Sequence, residues 1–307
     1  MKRAKMAKCR KCRKKADIFI PHHKLPLCKE DFSLWFENYL ERTIKKYKMF
    51  SKKEKILIAI SGGKDSLVLW KALNNLGYNT EGVIIDLGIE DFSILSLRIA
   101  ENFAEELNRP LHILSLEKEI GLTIPKLKNR TKKYCSLCGS IKRYFLNKFA
   151  RKNNYDVLVT GHNLDDEASS LLGNTINWHL KYLARKFPVL PSSNGFVRKA
   201  KPLCRFTAFE IKEYAKIMKI KYLEEKCPLS PQATRLVYAD LMDELEQKMP
   251  GTKLRFYSDY LKKVYPIFHE KMEEFMEKPL TNCEECGEPS VSSPCFICKL
   301  KKEYKSD

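Results

Sequence analysis

The sequence predicts an α/β protein, with a parallel, doubly wound sheet covered by helices and flanked at both ends by small cysteine knuckles. Three observations predict it. Short apolar runs of strand length alternate with stretches of helical periodicity. A Gly-Gly loop stands between the first of those runs and the helix after it. Eight of the 11 cysteines fall in four CxxC pairs, one near the start of the chain and two near its end.

The elements follow in order. Residues 31–48 carry Leu34, Trp35, Tyr39, Ile44 and Tyr47 at helical spacing and read as a linker helix. Residues 55–60 form a buried strand, 65–76 a helix ended by Gly77, 82–86 a strand, 93–107 a helix and 111–116 a strand. Residues 141–151 are helical and 156–160 are a further strand. Past Gly161 the chain reads as helices over 165–183, 207–218, 231–248 and 253–275, with a Pro-rich crossover over 187–202. The division expected is a knuckle over 1–32, a linker helix over 33–54, a catalytic domain over 55–276 and a second knuckle with a tail over 277–307. Ligands on such sheets bind beyond the carboxyl ends of the strands. The residues just after Ile60, Asp86 and Thr160 are therefore where chemistry is sought.

Composition narrows the class. The 307 residues suit about two domains, and 44% hydrophobic content is enough for real cores. The 57 Lys and Arg against 38 Asp and Glu leave a formal charge of +19, which points to a polyanionic partner. No apolar run reaches the roughly 18 residues of a membrane span. The basic start of the chain lacks the apolar stretch of a secretory signal, so a cytoplasmic location is expected. Thiols stay reduced there, and metal is the first explanation for so many cysteines.

The C-terminal set, Cys283, Cys286, Cys295 and Cys298, offers four soft ligands around a Gly-, Pro- and Ser-rich link, as a structural zinc site would. A redox dithiol would leave its second pair unexplained. At the N-terminus Cys9, Cys12 and Cys28 give three ligands to a second zinc. His22, His23 and Asp31 are available for the fourth place, with His23 and Asp31 the leading candidates. The basic tail around it (Lys2 through Lys15) suits contact with phosphate. Cys135, Cys138, Cys204 and Cys227 remain, all in the middle of the chain.

The loop Ser61-Gly62-Gly63-Lys64-Asp65-Ser66 follows a strand and opens a helix. Its glycines let the backbone pass close to phosphate, the helix N-terminus offers free N–H groups, and the serines add hydroxyls. It is not a Walker A loop, because Ile58 stands where the first glycine would be and Asp65 follows Lys64. Asp65 is better suited to holding magnesium than an anion.

SGGKDS resembles the PP-loop of the ATP pyrophosphatase superfamily, whose members cleave ATP between the α and β phosphates. Further stretches extend the resemblance: Cys135-Ser136-Leu137-Cys138-Gly139 with Ile141-Lys142-Arg143-Tyr144, Gly161-His162-Asn163-Leu164-Asp165-Asp166-Glu167-Ala168, Lys201-Pro202-Leu203, and Cys227-Pro228. Together they look like the tRNA 2-thiouridine sulfurtransferase branch, and most like its TtuA-type enzymes, which thiolate uridine 54 of the T-loop. The wobble uridine 34 is the alternative position. The family's N-terminal knuckle ends in histidine where this chain has Asp31.

The resemblance implies a PP-loop fold in which uridine O2 is adenylated and then displaced by sulfur. Ile60, Ser61, Gly62, Gly63, Lys64, Asp65, Ser66, Asp86 and Gly161 would bind ATP, with Gly161 letting the nucleotide approach. Cys135, Cys138 and Cys227 would hold a [4Fe–4S] cluster with one iron open. A disulfide and persulfide relay is the alternative for the same thiols. Lys142, one helical turn after Cys138, would face the same site. Of Asp165 and Asp166, one would cap a helix and the other hold magnesium or act as the base on uridine N3. His162 would touch phosphate or serve the structure alone. Cys204 reads as a small buried apolar residue. The basic stretch 126–133, and a second run of Lys181, Arg185, Lys186, Arg198, Lys199 and Lys201, would lie along tRNA. The sulfur would come from a thiocarboxylated ubiquitin-like carrier or from sulfide, and a homodimer fits the family. Two other readings compete: a PP-loop amide or lysidine ligase, which has no use for the three thiols, and a zinc-knuckle RNA-binding protein with a relic nucleotide fold.

Overall fold

A computed structural model of the chain describes residues 7–130, 134–229, 235–275 and 280–304. A hairpin of β1 (Ile18–Ile20) and β2 (Leu25–Leu27) precedes α1 (Lys29–Lys46). Then come β3 (Ile56–Ile60), α2 (Lys64–Asn75), β4 (Thr80–Asp86), α3 (Glu90–Leu107), β5 (Leu111–Ser115), α4 (Leu116–Ile120), α5 (Tyr134–Lys152) and β6 (Val157–Thr160). The second half holds α6 (Leu164–Ile176), α7 (Leu180–Ala184), β7 (Val189–Leu190), β8 (Arg198–Ala200), α8 (Ala208–Ile217), α9 (Arg235–Lys248), α10 (Thr252–Asp259) and α11 (Tyr265–Glu270). A hairpin of β9 (Thr281–Asn282) and β10 (Pro289–Ser290) leads to α12 (Phe296–Tyr304).

The central sheet has six strands in the order β5-β4-β3-β6-β8-β7, parallel except for β7, which pairs antiparallel with β8. The first strand, β3, stands inside the sheet. The chain builds β4 and β5 on one side of it, then crosses through α5 to lay β6 on the other. That reversal opens a crevice at the carboxyl ends of β3 and β6. Alternation along β3 separates the two faces. Ile56, Ile58 and Ile60 join the main core with α1, α2, α3, α6 and α8, whereas Leu57 packs with Ala150, Tyr155 and Leu158 on the α5 side.

Several expectations are corrected. The helix expected as a linker is built into the main core, where Phe32, Phe36, Leu40 and Ile44 are fully or almost fully buried. The 187–202 crossover contributes β7 and β8, and prolines 188 and 191 flank β7, which as an edge strand tolerates them. The expected 165–183 helix breaks after Ile176: Asn177 donates to the Gly173 carbonyl at 2.7 Å, and Trp178 adopts a left-handed φ of 48°. The 253–275 helix is interrupted by a π turn over Tyr260–Val264, just before Pro266, which has no N–H to continue the ladder. Helix α5 starts earlier than expected, so Cys135 and Cys138 lie within its first turns rather than ahead of it. Residues 1–6 of the basic tail, 131–133 of the first basic run, 231–234 of the expected helix and the 276/277 boundary lie outside the described residues. Among the described residues no helix is long and apolar enough to cross a membrane.

Candidate functional site

The phosphate loop sits at the end of β3, and α2 begins at Lys64 with Gly63 as its N-cap. Gly62 has φ +72°, and a Cβ there would stand 2.9 Å from the Ser96 carbonyl oxygen of α3, so the turn needs glycine on both counts. Ser66 is buried, and its hydroxyl is spent on the loop itself. It accepts from the Ser61 amide at 3.2 Å and donates to the Gly63 carbonyl at 3.0 Å. Ser66 therefore shapes the loop instead of offering a free hydroxyl. Lys64 Nζ donates to Asp65 Oδ1 at 2.7 Å, and Asn163 Nδ2 donates to the same oxygen at 3.2 Å. The β6–α6 turn is thereby tied to the phosphate loop.

Gly161 stands at the end of β6, as expected, but its missing side chain serves another purpose. A Cβ there would lie 2.9 Å from the Ser66 backbone nitrogen and 3.0 Å from the Asp65 carbonyl carbon. The position admits the loop's own backbone. Neither aspartate of the following pair is the N-cap. Asn163 caps α6, accepting from the Asp166 amide at 3.1 Å, while Asp166 accepts from the Asn163 amide at 3.2 Å in a capping box. Asp165 accepts from the Ala208 amide at 2.7 Å and pairs with Lys253, so both its oxygens fasten α8 and α10 to the rim. Asp86 lies at the end of β4 and accepts from the Gly88 amide at 2.9 Å. His162 is exposed, and its Nδ1 is hydrogen-bonded with Thr160 Oγ1 at 2.8 Å.

Beneath the crevice, Glu167 is 2% exposed and meets Lys201 at 2.9 Å and Lys186 at 3.0 Å, while Tyr257 donates to it at 3.1 Å. Burial would raise its pKa, but Lys201 and Lys186 prevail and hold it down at about 2. Burial also lowers Lys186 to about 8 despite its partner. The sequence carries a signal for this network: Glu167 shares the apolar stripe of Leu164, Ala168 and Leu171, where a charge must find partners.

On α5, Cys135 is exposed and Cys138 half-buried, and Cys227 is half-buried on the segment after α8. Burial pushes the Cys138 thiol up; Lys142 opposes this, and Cys227 and Cys135 add to it, so all three lie near enough to act on Cys138. The Cys227 segment is pinned to the phosphate loop: the Leu223 amide donates to the Gly62 carbonyl at 2.9 Å. No local pattern in the sequence foretells that bond. Cys138 and Cys227 pack against the second core with Ile141 and Phe145. Three thiols from two segments, with a lysine beside them, fit the donor set of an iron–sulfur centre.

The terminal sets close tightly. Sγ of Cys283, Cys286, Cys295 and Cys298 all lie within 4.8 Å of one another, as do the donor atoms of Cys9, Cys12, Cys28 and Asp31. Asp31 Oδ2 stands 3.1 Å from Cys9 Sγ and 3.3 Å from Cys28 Sγ. Cys28 caps α1, so the carboxylate one turn later folds back over the cap. His23 is not in this set; with His22 it sits in the turn between β1 and β2, beside Glu210. The five residues from His23 to Cys28 include β2, and extended chain at about 3.3 Å per residue carries the two apart. Both donor sets fit zinc. Cys204 is fully buried, as expected of a core residue.

Residues 36–237 match the family model of the PP-loop domain, and residues 8–33 match that of the 2-thiouridine synthetase TtuA N-terminal LIM domain. The chain is 43% identical over 301 residues to the tRNA-5-methyluridine(54) 2-sulfurtransferase of Thermotoga maritima, covering 97% of each. It is 43% identical to the Pyrococcus horikoshii protein of the same name, over 96% of this chain and 95% of that one. The fold is shared with the U34-tRNA thiolase NcsA from Methanococcus maripaludis with its [4Fe-4S] cluster, at a TM-score of 0.77 and 27% identity, covering 97% of this chain and 96% of that one. With the phosphate loop, the β6–α6 turn and the cysteine sets in these positions, the chain belongs to the PP-loop family of tRNA 2-sulfurtransferases, in its TtuA-type branch.

Proposed function

We propose that the protein is an ATP-dependent tRNA 2-sulfurtransferase acting on uridine 54 of the T-loop. The observation that carries this reading is the hydrogen bond from Leu223 to Gly62, which docks the segment bearing Cys227 on the phosphate loop. The bond supports a reading in which nucleotide chemistry and sulfur chemistry share one crevice. The relatives at 43% identity carry uridine 54 in their names, and this supports the T-loop over the wobble position.

In this reading uridine O2 attacks the α-phosphorus of ATP and pyrophosphate leaves. Sulfur then adds at C2, the C2–O2 bond breaks, and AMP departs with the oxygen. Gly62, Gly63 and Lys64 counter the charge growing on pyrophosphate. Lys142, beside Cys138, steadies the activated uracil oxygen. Asp165 or Asp166 takes the N3 proton. Asp65 and Asp166 are the candidates to hold magnesium. Bound by Cys135, Cys138 and Cys227, a [4Fe–4S] cluster with an open iron would supply the sulfur. Zinc fills the two terminal sets. The sulfur originates as sulfide or as a thiocarboxylated carrier. The enzyme works in the cytoplasm as a homodimer.

The test is nucleoside mass spectrometry of tRNA from a deletion strain, with the missing 2-thiouridine mapped to its position. Loss at position 54 is expected. Loss at position 34, or no loss at all, would sink the reading.

A further inference from the structure

Outside the crevice and the cysteine sets, one cluster stands apart. His22 and His23 occupy the turn joining β1 to β2, their rings 4.3 Å apart. Glu210 reaches them from α8. Its side chain is fully buried, and it spends Oε2 on the α8 capping box, accepting from the Thr207 amide at 2.7 Å and hydroxyl at 2.8 Å. Its other oxygen, Oε1, faces His22 Nε2 at 3.5 Å, and the His22 side chain is only 3% exposed. Among the described residues, His22 Nε2, His23 Nε2 and Glu210 Oε1 are all buried without a hydrogen-bond partner. The donor atoms of the three residues lie within 4.8 Å of one another.

Buried polar atoms are ordinarily paired, so three unpaired ones converging on a point mark a missing occupant. Two imidazoles and a carboxylate form the donor set of a divalent ion of the zinc class. The buried, unpartnered Nε2 of each histidine can ligate through its lone pair. Arg205 opposes a cation, but its guanidinium is turned over the Tyr39 ring at 5.3 Å. From these contacts we infer that His22, His23 and Glu210 form a third metal site, for Zn²⁺, which clamps the N-terminal hairpin to α8. The alternative occupant is a single buried water bridging the same atoms.

Zinc per chain, measured by elemental mass spectrometry after equilibration with a zinc buffer, tests it. The comparison is between the wild-type chain, His22→Asn/His23→Asn, and Glu210→Gln, which keeps an oxygen for the capping box. The wild type should hold one zinc more than each variant. In addition, wild-type chain holding two zinc ions and then given Co²⁺ should take up one cobalt with d–d bands but no thiolate-to-cobalt charge transfer, and Glu210→Gln with two zinc ions should not take it up. Equal zinc in all three chains, or no cobalt uptake beyond the Glu210→Gln level, means that a water fills the pocket and overturns the inference. The cobalt arm does not require the double variant to fold.

Discussion

The terminal cysteines and the middle ones are built differently. At the C-terminus Cys286 and Cys295 are 3.6 Å apart, Cys283 and Cys298 3.9 Å, and backbone amides of Cys295 and Cys298 donate to the sulfurs. Burial would raise the Cys283 thiol, yet amides from Cys295, Glu285 and Cys286 bring it down to about 6. A closed set of this kind has no room for a reactant. The middle thiols come from α5 and from a segment held by the phosphate loop, and Cys135 is open to solvent. The difference teaches that thiol number is a poor guide to role. Four thiols drawn from adjacent turns suit the holding of an ion, whereas three drawn from two separate segments suit a site open to chemistry.

Replacing a middle thiol should break this contrast most visibly. Cys138→Ser is expected to lower thiolation at least about 1000-fold, as loss of a member of a catalytic unit does. ATP affinity should be unchanged by calorimetry, because the phosphate loop is untouched. If the variant thiolates tRNA normally, the two classes of cysteine are not functionally distinct.

Cys283→Ser attacks the other class. Cys283, Cys295, Ile297 and Leu300 belong to the second core with Ile141 and Phe145 of α5. The loss expected is one zinc and about 3 kcal/mol or more of stability, read by denaturant titration. Iron content should fall as well, because α5 loses its support. Retention of iron and stability would mean that the knuckle is an appendage.

Gly161→Ala provides a control that touches no thiol. Its Cβ would press on the Ser66 backbone, and overpacking of this kind costs about 1–3 kcal/mol. Pyrophosphate release should slow while iron and zinc stay in place. An unaltered melting temperature and rate would show that the loop yields.

The smallest expected effect concerns charge. Lys199 is lowered to about 8, first by burial and then by Arg143 and Arg185. Its charge is present below about pH 8 and is lost above it. tRNA affinity should therefore weaken, by about threefold, as pH rises from 7 to 9 at constant salt. The folded pKa lies below the ordinary lysine value, so the chain binds fewer protons folded than unfolded between the two. This residue's contribution to stability accordingly rises over that window and does not fall. Lys199→Met should flatten the affinity change.

Much of the fold is legible because it rests on local signals. The strands β3 to β6 announce themselves as apolar runs, and the phosphate loop and the cysteine spacings are compact motifs. What escapes the sequence depends on partners far along the chain. Whether Asp31 or His23 completes the N-terminal set turns on where α1 begins. The different partners of Asp165 and Asp166 appear only once Lys253 and the α8 N-terminus arrive. Gly161 reads as space for a ligand until the Ser66 backbone is seen filling that space.

The second core carries one more consequence, for the order of events during synthesis. The core that holds Ile141 and Phe145 of α5 is completed by Ile297 and Leu300, which leave the ribosome long after Cys138 does. Until they emerge, the core beneath the helix bearing two of the three middle thiols is incomplete. A ribosome-stalled chain ending before Cys283 is therefore expected to form its phosphate loop but to retain less iron than the full chain, as measured by elemental mass spectrometry.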